Sequence, residues 1–220
     1  MSATLTPPIP APVLPAPHPT PPPAAVPPAA ASARQPYQFT VAQYQQMIAA
    51  DVLTADDKAE LLEGTVVQKM ARNPPHHAAI SILNEYLRAF LPPGWCLRSQ
   101  LGLALTDSQP EPDFLFARGR CRDYIPRHPT AGDAALVIEV ADSSRLYDRR
   151  DKARMYARAA IPVYWIVNLV DRRVEVLTDP SGPTAMPAYT TAAAYAAGAD
   201  VPLLLPGAPP AVVPAAELLL

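Results

Sequence analysis

The run AALVIEVAD, residues 134–142, constrains the fold of this chain more than any other stretch. Its residues are apolar up to the final aspartate, except for Glu139. A continuous apolar run of this kind is typical of a strand that is covered on both faces of a sheet. An acid among large aliphatic neighbours faces either solvent or a functional centre, because a buried ionised carboxylate must be compensated. We therefore expect Glu139 to belong to a functional site.

The segments around this strand predict an α/β domain with a mixed sheet flanked by helices. FTVAQYQQMI has helical spacing with Thr40 as its N-cap, and HHAAISILNEYLRAFL is an amphipathic helix. WCLRSQLGLAL and DFLFA have the character of strands, and SSRLYDRRDKARMYARAA is a helix that Ser143 or Ser144 opens. IPVYWIVNLVDRRVEVLT predicts two strands around a turn, and the terminal AELLL a short helix.

Proline and alanine dominate both ends of the chain. Residues 1–36 hold 13 of the 30 prolines and have little apolar surface to bury, which predicts a disordered tail. We expect a folded domain over residues 37–220, with its core in 37–180 and a Pro/Ala-rich C-terminal extension in 181–220. The net charge of −2 argues against non-specific coating of nucleic acid but leaves room for a local basic patch.

Cysteine content and hydropathy indicate where the chain works. Cys96 and Cys121 are the two cysteines, too few for a disulfide framework and not at metal-ligand spacing, so we assign them no role and expect a cytoplasmic location. No apolar run outside the Pro/Ala-rich sequence is long enough to predict a membrane span.

Four charged residues are candidates for one catalytic site. Asp113, in EPDFLF, runs directly into an apolar strand, although taken alone it also fits a turn cap before that strand. Glu139 lies on the central strand, Lys152 on the helix that follows it, and Glu60, in AELLEG, near the end of an N-terminal helix or turn. Carboxylates with a lysine are the components of divalent-metal phosphodiester hydrolysis, in which hard oxygens bind Mg²⁺ and the lysine acts on the water or the transition state.

The helix that carries Lys152 is expected to have one basic face. Helical spacing brings Arg145, Arg149, Lys152 and Tyr156 together on that face. A second row, at i, i+4 spacing on the opposite side, is expected to be solvated and consists of Arg150, Arg154 and Arg158.

Several segments in the same order resemble a known family. AELLEGTVVQKM, HHAAISIL, EPDFLFA, LVIEVADSS and YDRRDKARMYARAAIPVYWIVN together look like the Uma-type restriction endonuclease family of the PD-(D/E)xK nuclease superfamily. The resemblance implies a restriction-endonuclease-like fold and metal-dependent cleavage of DNA with Mg²⁺ or Mn²⁺. It implies Asp113, Glu139 and Glu60 as metal ligands and as catalytic residues together with Lys152. DNA is the expected partner, a homodimer is an open alternative to a monomer, and no membrane partner is expected.

The chain departs from the superfamily pattern at one important position. The pattern has its lysine two residues after the strand acid, and Ala141 stands there in this chain. The resemblance implies that the lysine has moved to the helix as Lys152. Ala59 replaces a frequent aromatic beside Glu60, and an accessory histidine best matches His77.

Two other functions stay open at this stage. A catalytically inactive nuclease-fold module that binds nucleic acid or regulates is the first, favoured by the low net charge and by the lack of a recognition domain. The second is a metal-dependent hydrolase with a substrate other than DNA.

The first testable prediction concerns the N-terminal tail. Deletion of residues 1–36 should leave the melting temperature unchanged within about 2 °C, because a segment of this composition contributes no packed contacts. Thermal unfolding of the full and the truncated chain measures this. A decrease well beyond that range would show that the tail docks on the folded domain.

Overall fold

A six-stranded mixed sheet with β5 inside it organises the fold, as the AALVIEVAD run predicted. In the computed structural model its order is β3-β4-β5-β6-β7-β8; β5 and β6 are parallel, and the other neighbours are antiparallel. Two separate hairpins pair β1 with β2 and β9 with β10. The strands are β1 (Ala59–Leu62), β2 (Thr65–Gln68), β3 (Trp95–Arg98), β4 (Phe114–Arg118), β5 (Ala134–Ala141), β6 (Val163–Asn168), β7 (Arg173–Pro180), β8 (Tyr189–Ala196), β9 (Asp200–Leu203) and β10 (Ala211–Pro214).

The structure describes residues 35–69, 73–142 and 144–219, without the side chain of Arg145. The tail was predicted over residues 1–36, of which residues 1–34 lie outside this part, as does Ser143. The division into a tail and a domain stays a prediction. The α-helices are α1 (Val41–Ala49), α2 (Pro74–Arg88), α3 (Arg145–Tyr147), α4 (Ala153–Arg158) and α5 (Ala215–Leu219), with a π-helical turn (Asp148–Lys152) joining α3 to α4.

Helix starts follow their capping residues. Thr40 caps α1, and its side chain and that of Gln43 satisfy each other's backbone N–H groups in a capping box. Asn73 caps α2, where its Oδ1 accepts a hydrogen bond from His76 N at 3.0 Å. The predicted N-terminal and amphipathic helices are therefore confirmed. No helix in the described ranges has both the length and the apolar character needed to cross a bilayer.

Two apolar cores lie on opposite faces of the sheet, and strand alternation assigns residues to them. The first core contains Leu136, Ile138 and Val140 of β5 and packs against α2 and α5. Val137 and Ala141 belong to the second, beside α4. Glu139 is two residues from each of Val137 and Ala141 and therefore lies on the same face of β5. Its side chain points toward the helical segment that follows β5.

The structure corrects the predicted position of Glu60. This residue lies in the strand β1 of a hairpin, not at the end of a helix. Gly64 permits the turn, with a φ of +74°, and the side chain of Gln38 closes over it. Sequence analysis predicted the end of a helix or a turn for this segment. Pairing with the β-branched strand TVVQ decides the conformation.

Two further expectations needed correction. The strand predicted over WCLRSQLGLAL ends at Arg98, because Gln100 has a φ of +54° and Leu103 N donates to Pro110 O instead of to a neighbouring strand. The Pro/Ala-rich C-terminal segment adds β8 to the main sheet and forms the β9–β10 hairpin. The predicted AELLL helix is α5, whose Leu218 and Leu219 enter the first core.

The packing of α2 generates the second prediction. Leu83→Ala should lower the free energy of unfolding by about 2–5 kcal/mol, because Leu83 is completely buried in the first core. Urea unfolding measures the change. Ile82→Ala is the matched control on the same helix; its side chain is 49% exposed, and the expected loss is within about 0.5 kcal/mol. Equal losses for both variants would contradict the packing of α2 described above.

Candidate active site

The register of β4 on β5 brings two acids together. Phe114 pairs with Ile138 and Leu115 with Val137, so the same antiparallel register, extended by one residue, sets Asp113 opposite Glu139. Both acids are buried, with relative exposures of 2%. Asp113 Oδ2 accepts a hydrogen bond from the backbone N–H of Val140 at 2.9 Å. This contact places the Asp113 carboxylate over the strand that carries Glu139.

The helical segment after β5 delivers a cation and a phenol to Glu139. Lys152 Nζ lies 2.9 Å from Glu139 Oε1, and Tyr156 OH donates to the same oxygen at 2.8 Å. Tyr156 is fully buried in the second core, and the side chain of Lys152 is 12% exposed. Position 141 of the strand is an alanine, and Lys152 of the following helical segment is the lysine that lies beside Glu139; its catalytic role stays a prediction.

The π-helical turn prevents Arg149 and Lys152 from sharing the predicted basic face. A π turn holds more residues per turn than an α-helix, which changes the angular position of residues before Lys152 relative to those after it. Arg149 forms a salt bridge with Glu175 and lies 3.3 Å from Asp171 Oδ2, away from the acids of the site. The prediction of one basic face is therefore wrong for Arg149, and the side chain of Arg145 is outside the described residues.

The second predicted row of arginines is paired rather than simply solvated. Arg154 Nη2 lies 2.5 Å from Glu63 Oε2, and Arg158 contacts both Glu63 and Asp107. Arg150 is exposed. These contacts attach the helical segment to the β1–β2 hairpin, and among the described cationic side chains of the segment it is Lys152 that reaches Glu139.

Asp148 is a buried acid of the site that the reasoning from single residues did not select. It is 1% exposed; its Oδ1 lies 3.7 Å from Lys152 Nζ, and its Oδ2 accepts a hydrogen bond from Ser144 Oγ at 2.5 Å. Tyr164 OH donates to its backbone carbonyl at 3.2 Å. The i, i+4 spacing to Lys152 was the available signal, but the same spacing is common on solvated helix faces.

The β1–β2 hairpin supplies Glu60 from another direction. Backbone bonds from Gly64 N to Asp107 O and from Gln109 N to Leu61 O, both 2.7 Å, attach the hairpin to the segment that precedes Asp113. Glu60 Oε2 accepts from the backbone N–H of Glu111 at 3.2 Å. Glu60 is 7% exposed and lines the same cavity as Asp113 and Glu139.

The histidine that lies at the site is His76, whereas the family resemblance best matched an accessory histidine to His77. His76 Nε2 lies 3.3 Å from Asp113 Oδ2, and the residue is 8% exposed. His77 is exposed and does not line the cavity. The first turn of α2 is held at the site because Asn73, its cap, also donates to Asp142 Oδ2 at 2.5 Å. Adjacent histidines in a first helical turn cannot be distinguished without knowing the rotation of the helix.

All four predicted residues line a cavity of about 220 Å³. Negative charge predominates in it, because six carboxyl side chains face two lysines and one histidine among its lining residues. The lining carboxyl groups belong to Glu60, Glu111, Asp113, Glu139, Asp142 and Asp148; the cationic groups are Lys69, which pairs with Glu111, and Lys152.

Burial and charge crowding alter the pKa values in this cluster. Burial, opposed by Lys152 and reinforced by Asp113 and Asp148, raises the pKa of Glu139 to about 8. Burial also raises the pKa of Asp148. Burial alone would lower the pKa of Lys152, but the attraction of Glu139 and Asp148 outweighs it and raises that pKa. With more acids than cations in the cluster, the lysine stays charged and a carboxyl group retains a proton.

Metal binding would require rearrangement of some of these contacts. Within the described residues, no three His, Cys, Asp or Glu side chains are arranged to hold a metal ion. Glu139 Oε1 is engaged by Lys152 and Tyr156, and Asp113 Oδ2 by Val140 N and His76. The available donors are nevertheless hard oxygens beside an open cavity, which is the chemistry that Mg²⁺ and Mn²⁺ prefer.

Comparison with known proteins gives the family and the fold of the chain. The Uma2 family, described as "Putative restriction endonuclease", matches residues 41–208. A solved structure described as a putative nuclease belonging to DUF820, from Anabaena variabilis, has a TM-score of 0.54 and 15% sequence identity over 82% of this chain and 97% of that one. At this identity the likeness supports the fold. No curated protein sequence matches the chain significantly.

The third prediction follows from the proton held by Glu139. In the metal-free protein, the free energy of unfolding should fall as pH rises from about 5 to 8. Over that interval the folded state holds a proton that the unfolded state, with an ordinary pKa of 4.5, has released. The contribution amounts to at most ~1.4 kcal/mol per pH unit. Glu139→Gln removes it, so urea unfolding of this variant should depend less steeply on pH.

Asp151→Asn is the control for this measurement. Asp151 belongs to the π-helical turn, and its side chain is 46% exposed. Its loss should leave the pH dependence of the wild type intact. If wild type and Glu139→Gln had the same slope, Glu139 would not be the group that retains the proton.

Proposed function

Because this chain belongs to the Uma2 family, we propose that it is a divalent-metal-dependent endonuclease that hydrolyses DNA phosphodiester bonds. One observation carries the proposal: two buried acids, Asp113 just before β4 and Glu139 on β5, face the largely enclosed Lys152 in an acidic cavity. Acids without a cation would repel a phosphate, and a lysine without acids would not hold a metal. The combination suits a reaction in which a metal ion and a phosphate meet.

The surplus of carboxylates supports a metal-dependent reaction in particular. A DNA phosphate brings further negative charge into a cavity that already contains six carboxyl groups and two lysines. Placing like charges together at low effective dielectric is unfavourable. A divalent cation in the cavity would offset part of this negative charge and attract the phosphate oxygens directly, which makes the approach of phosphate more favourable.

Asp113 and Glu139 are the residues that would hold the ion, with Glu60 completing the site. Mg²⁺ retains several waters and needs only one or two carboxylates, so a donor set without three converging protein ligands fits a hydrated Mg²⁺ or Mn²⁺ ion. When bound, such an ion polarises the phosphate and lowers the pKa of a coordinated water.

Lys152 supplies the positive charge of the protein itself. Its ammonium group is held between Glu139 and Asp148, which raise its pKa and keep it protonated. A fixed cation beside the cavity stabilises negative charge that develops on the phosphate oxygens in the transition state. The same contact with Glu139 lets it orient that carboxylate.

Two neighbours act as positioning residues. Tyr156 donates its hydroxyl hydrogen to Glu139 Oε1 from inside the second core, which holds that oxygen toward Lys152. His76 and the backbone N–H of Val140 both lie against Asp113 Oδ2 and fix the orientation of its carboxylate. Such contacts reduce the reorganisation needed when a metal ion or substrate binds.

An inactive module that binds nucleic acid or regulates is the second candidate. The observation in its favour is that Lys152 is already paired with Glu139, while Ala141 stands where the superfamily pattern has its lysine. In this case the acids and the lysine would compensate each other as a structural cluster. The cytoplasmic location, a homodimer and a hydrolase with another substrate likewise stay predictions from the sequence.

The fourth prediction separates catalysis by Lys152 from a structural role. Lys152→Met should lower the turnover of DNA cleavage on the order of 10²- to 10³-fold, because the transition state loses a fixed cation. DNA affinity should stay within a few-fold of the wild type, and Mg²⁺ should still raise the melting temperature of the variant. Gel assays of plasmid cleavage and thermal unfolding measure these quantities, and circular dichroism verifies folding.

Arg154→Met is the matched control, since Arg154 lies on the same helical segment and pairs with Glu63 instead of Glu139. It should cleave at close to the wild-type rate. If Lys152→Met also cleaved DNA at close to the wild-type rate, Lys152 would have no catalytic role.

A further inference from the structure

The two cysteines of the chain, which are 25 residues apart in sequence, meet in the structure. Cys96 is the second residue of β3 and is 1% exposed, whereas Cys121 begins the 3₁₀ turn Cys121–Tyr124 and is exposed. Their Sγ atoms are 2.6 Å apart. Only a small movement would bring them to the bond length of about 2.05 Å found in disulfides.

We propose that Cys96 and Cys121 are a redox-active pair that forms a reversible intramolecular disulfide, with a low-molecular-weight disulfide such as oxidised glutathione as the oxidant. This site lies outside the acidic cavity and does not depend on the proposed nuclease activity.

The different exposure of the two sulfurs gives the order of the steps. The thiolate of Cys121, which solvent can reach, attacks oxidised glutathione to form a mixed disulfide and releases one glutathione thiolate. The thiolate of Cys96 then attacks Cys121 Sγ, forms the internal S–S bond and releases the second glutathione. Both protons leave with the released glutathione thiols, so two protein thiols are oxidised as one glutathione disulfide is reduced to two molecules.

Burial protects Cys96 from direct reaction. Burial and the contact with Cys121 raise the pKa of Cys96 to about 12, so its free thiolate is scarce and external oxidants cannot reach it easily. It reacts with a partner already placed at contact distance, where a single displacement completes the bond.

The surrounding contacts hold Cys121 in place. The hydroxyl of Tyr124 donates to the carbonyl of Arg118, which ties the 3₁₀ turn to the end of β4. The guanidinium groups of Arg98 and Arg127 lie over the ring of Tyr124, 5.3 and 5.1 Å from its centroid. The turn is therefore fixed against both strands, and the sulfurs do not have to find each other by loop motion.

The cross-link would join β3, an edge strand of the main sheet, to the 3₁₀ turn that contains Cys121. β3 pairs only with β4 in that sheet, and Cys96 lies opposite Ala117, near the end of β4 remote from Asp113. Closing the loop between residues 96 and 121 should stabilise the folded state, because it restricts the unfolded chain. The acidic cavity lies at the other end of β4, so its geometry should be unaffected.

The experiment incubates the full-length protein with an excess of oxidised glutathione and compares it with protein kept in reduced glutathione. We expect the intact mass to fall by about 2 Da, both thiols to become unavailable to a titrant under denaturing conditions, and the melting temperature to rise by several °C. Dithiothreitol should reverse all three changes. Cys96→Ala should instead accumulate an adduct heavier by about 305 Da, because nothing resolves its mixed disulfide at Cys121.

Two results would overturn the proposal. One is a wild-type protein that keeps two free thiols, or that stops at the glutathione adduct, since Cys96 would then be unable to resolve it. The other is a disulfide between two protein molecules, seen as a dimer on a non-reducing gel. Cys121→Ser, which lacks the attacking thiol, is the control and should keep its mass and melting temperature in oxidised glutathione.

Discussion

The pairing register of β4 with β5 is the constraint on which the site depends. It sets Asp113 opposite Glu139 on the face of the sheet that α4 covers, and the Val140 N–H holds the Asp113 carboxylate there. A slip of one residue would turn Asp113 toward the first core, a cluster of apolar side chains to which α2 and α5 contribute. The large residues of β4 and β5 oppose such a slip, because each would change cores. Apolar packing thereby fixes a polar site.

Burying these acids is costly, and groups from two helical segments compensate part of that cost. Lys152 and Tyr156 reach Glu139 from the helical segment after β5, while His76 reaches Asp113 from the first turn of α2. The β1–β2 hairpin adds Glu60, whose carboxylate is held by a backbone N–H. The compensation is incomplete, since acids outnumber cations in the cavity. We interpret the remaining negative charge as the basis for binding a divalent cation.

Much of this arrangement follows from local sequence pattern, and the rest depends on tertiary contacts. The apolar run around Glu139 predicted a central strand, and the acid within it had to be compensated, which made Glu139 a candidate site residue. His76 and Asp148 could not be selected in the same way, because the rotation of α2 and the π turn decide which side chains face the cavity. The alanine-rich strand β8 has weak strand propensity and exists because it pairs with β7. Cys96 and Cys121 meet only through the fold.

A plasmid-nicking assay tests whether the protein cleaves DNA with a metal ion bound at Asp113. It compares wild type with Asp113→Asn in Mg²⁺, in Mn²⁺ and in EDTA. Asn keeps the shape of the side chain and removes the negative charge that lies opposite Glu139. We expect nicking by the wild type in at least one metal, none in EDTA, and a loss of at least ~10²-fold in the variant, because a proposed carboxylate ligand of the ion is removed. Equal nicking by both proteins, or nicking that persists in EDTA, would contradict this expectation. A wild type that binds DNA but nicks it in neither metal would favour the inactive module.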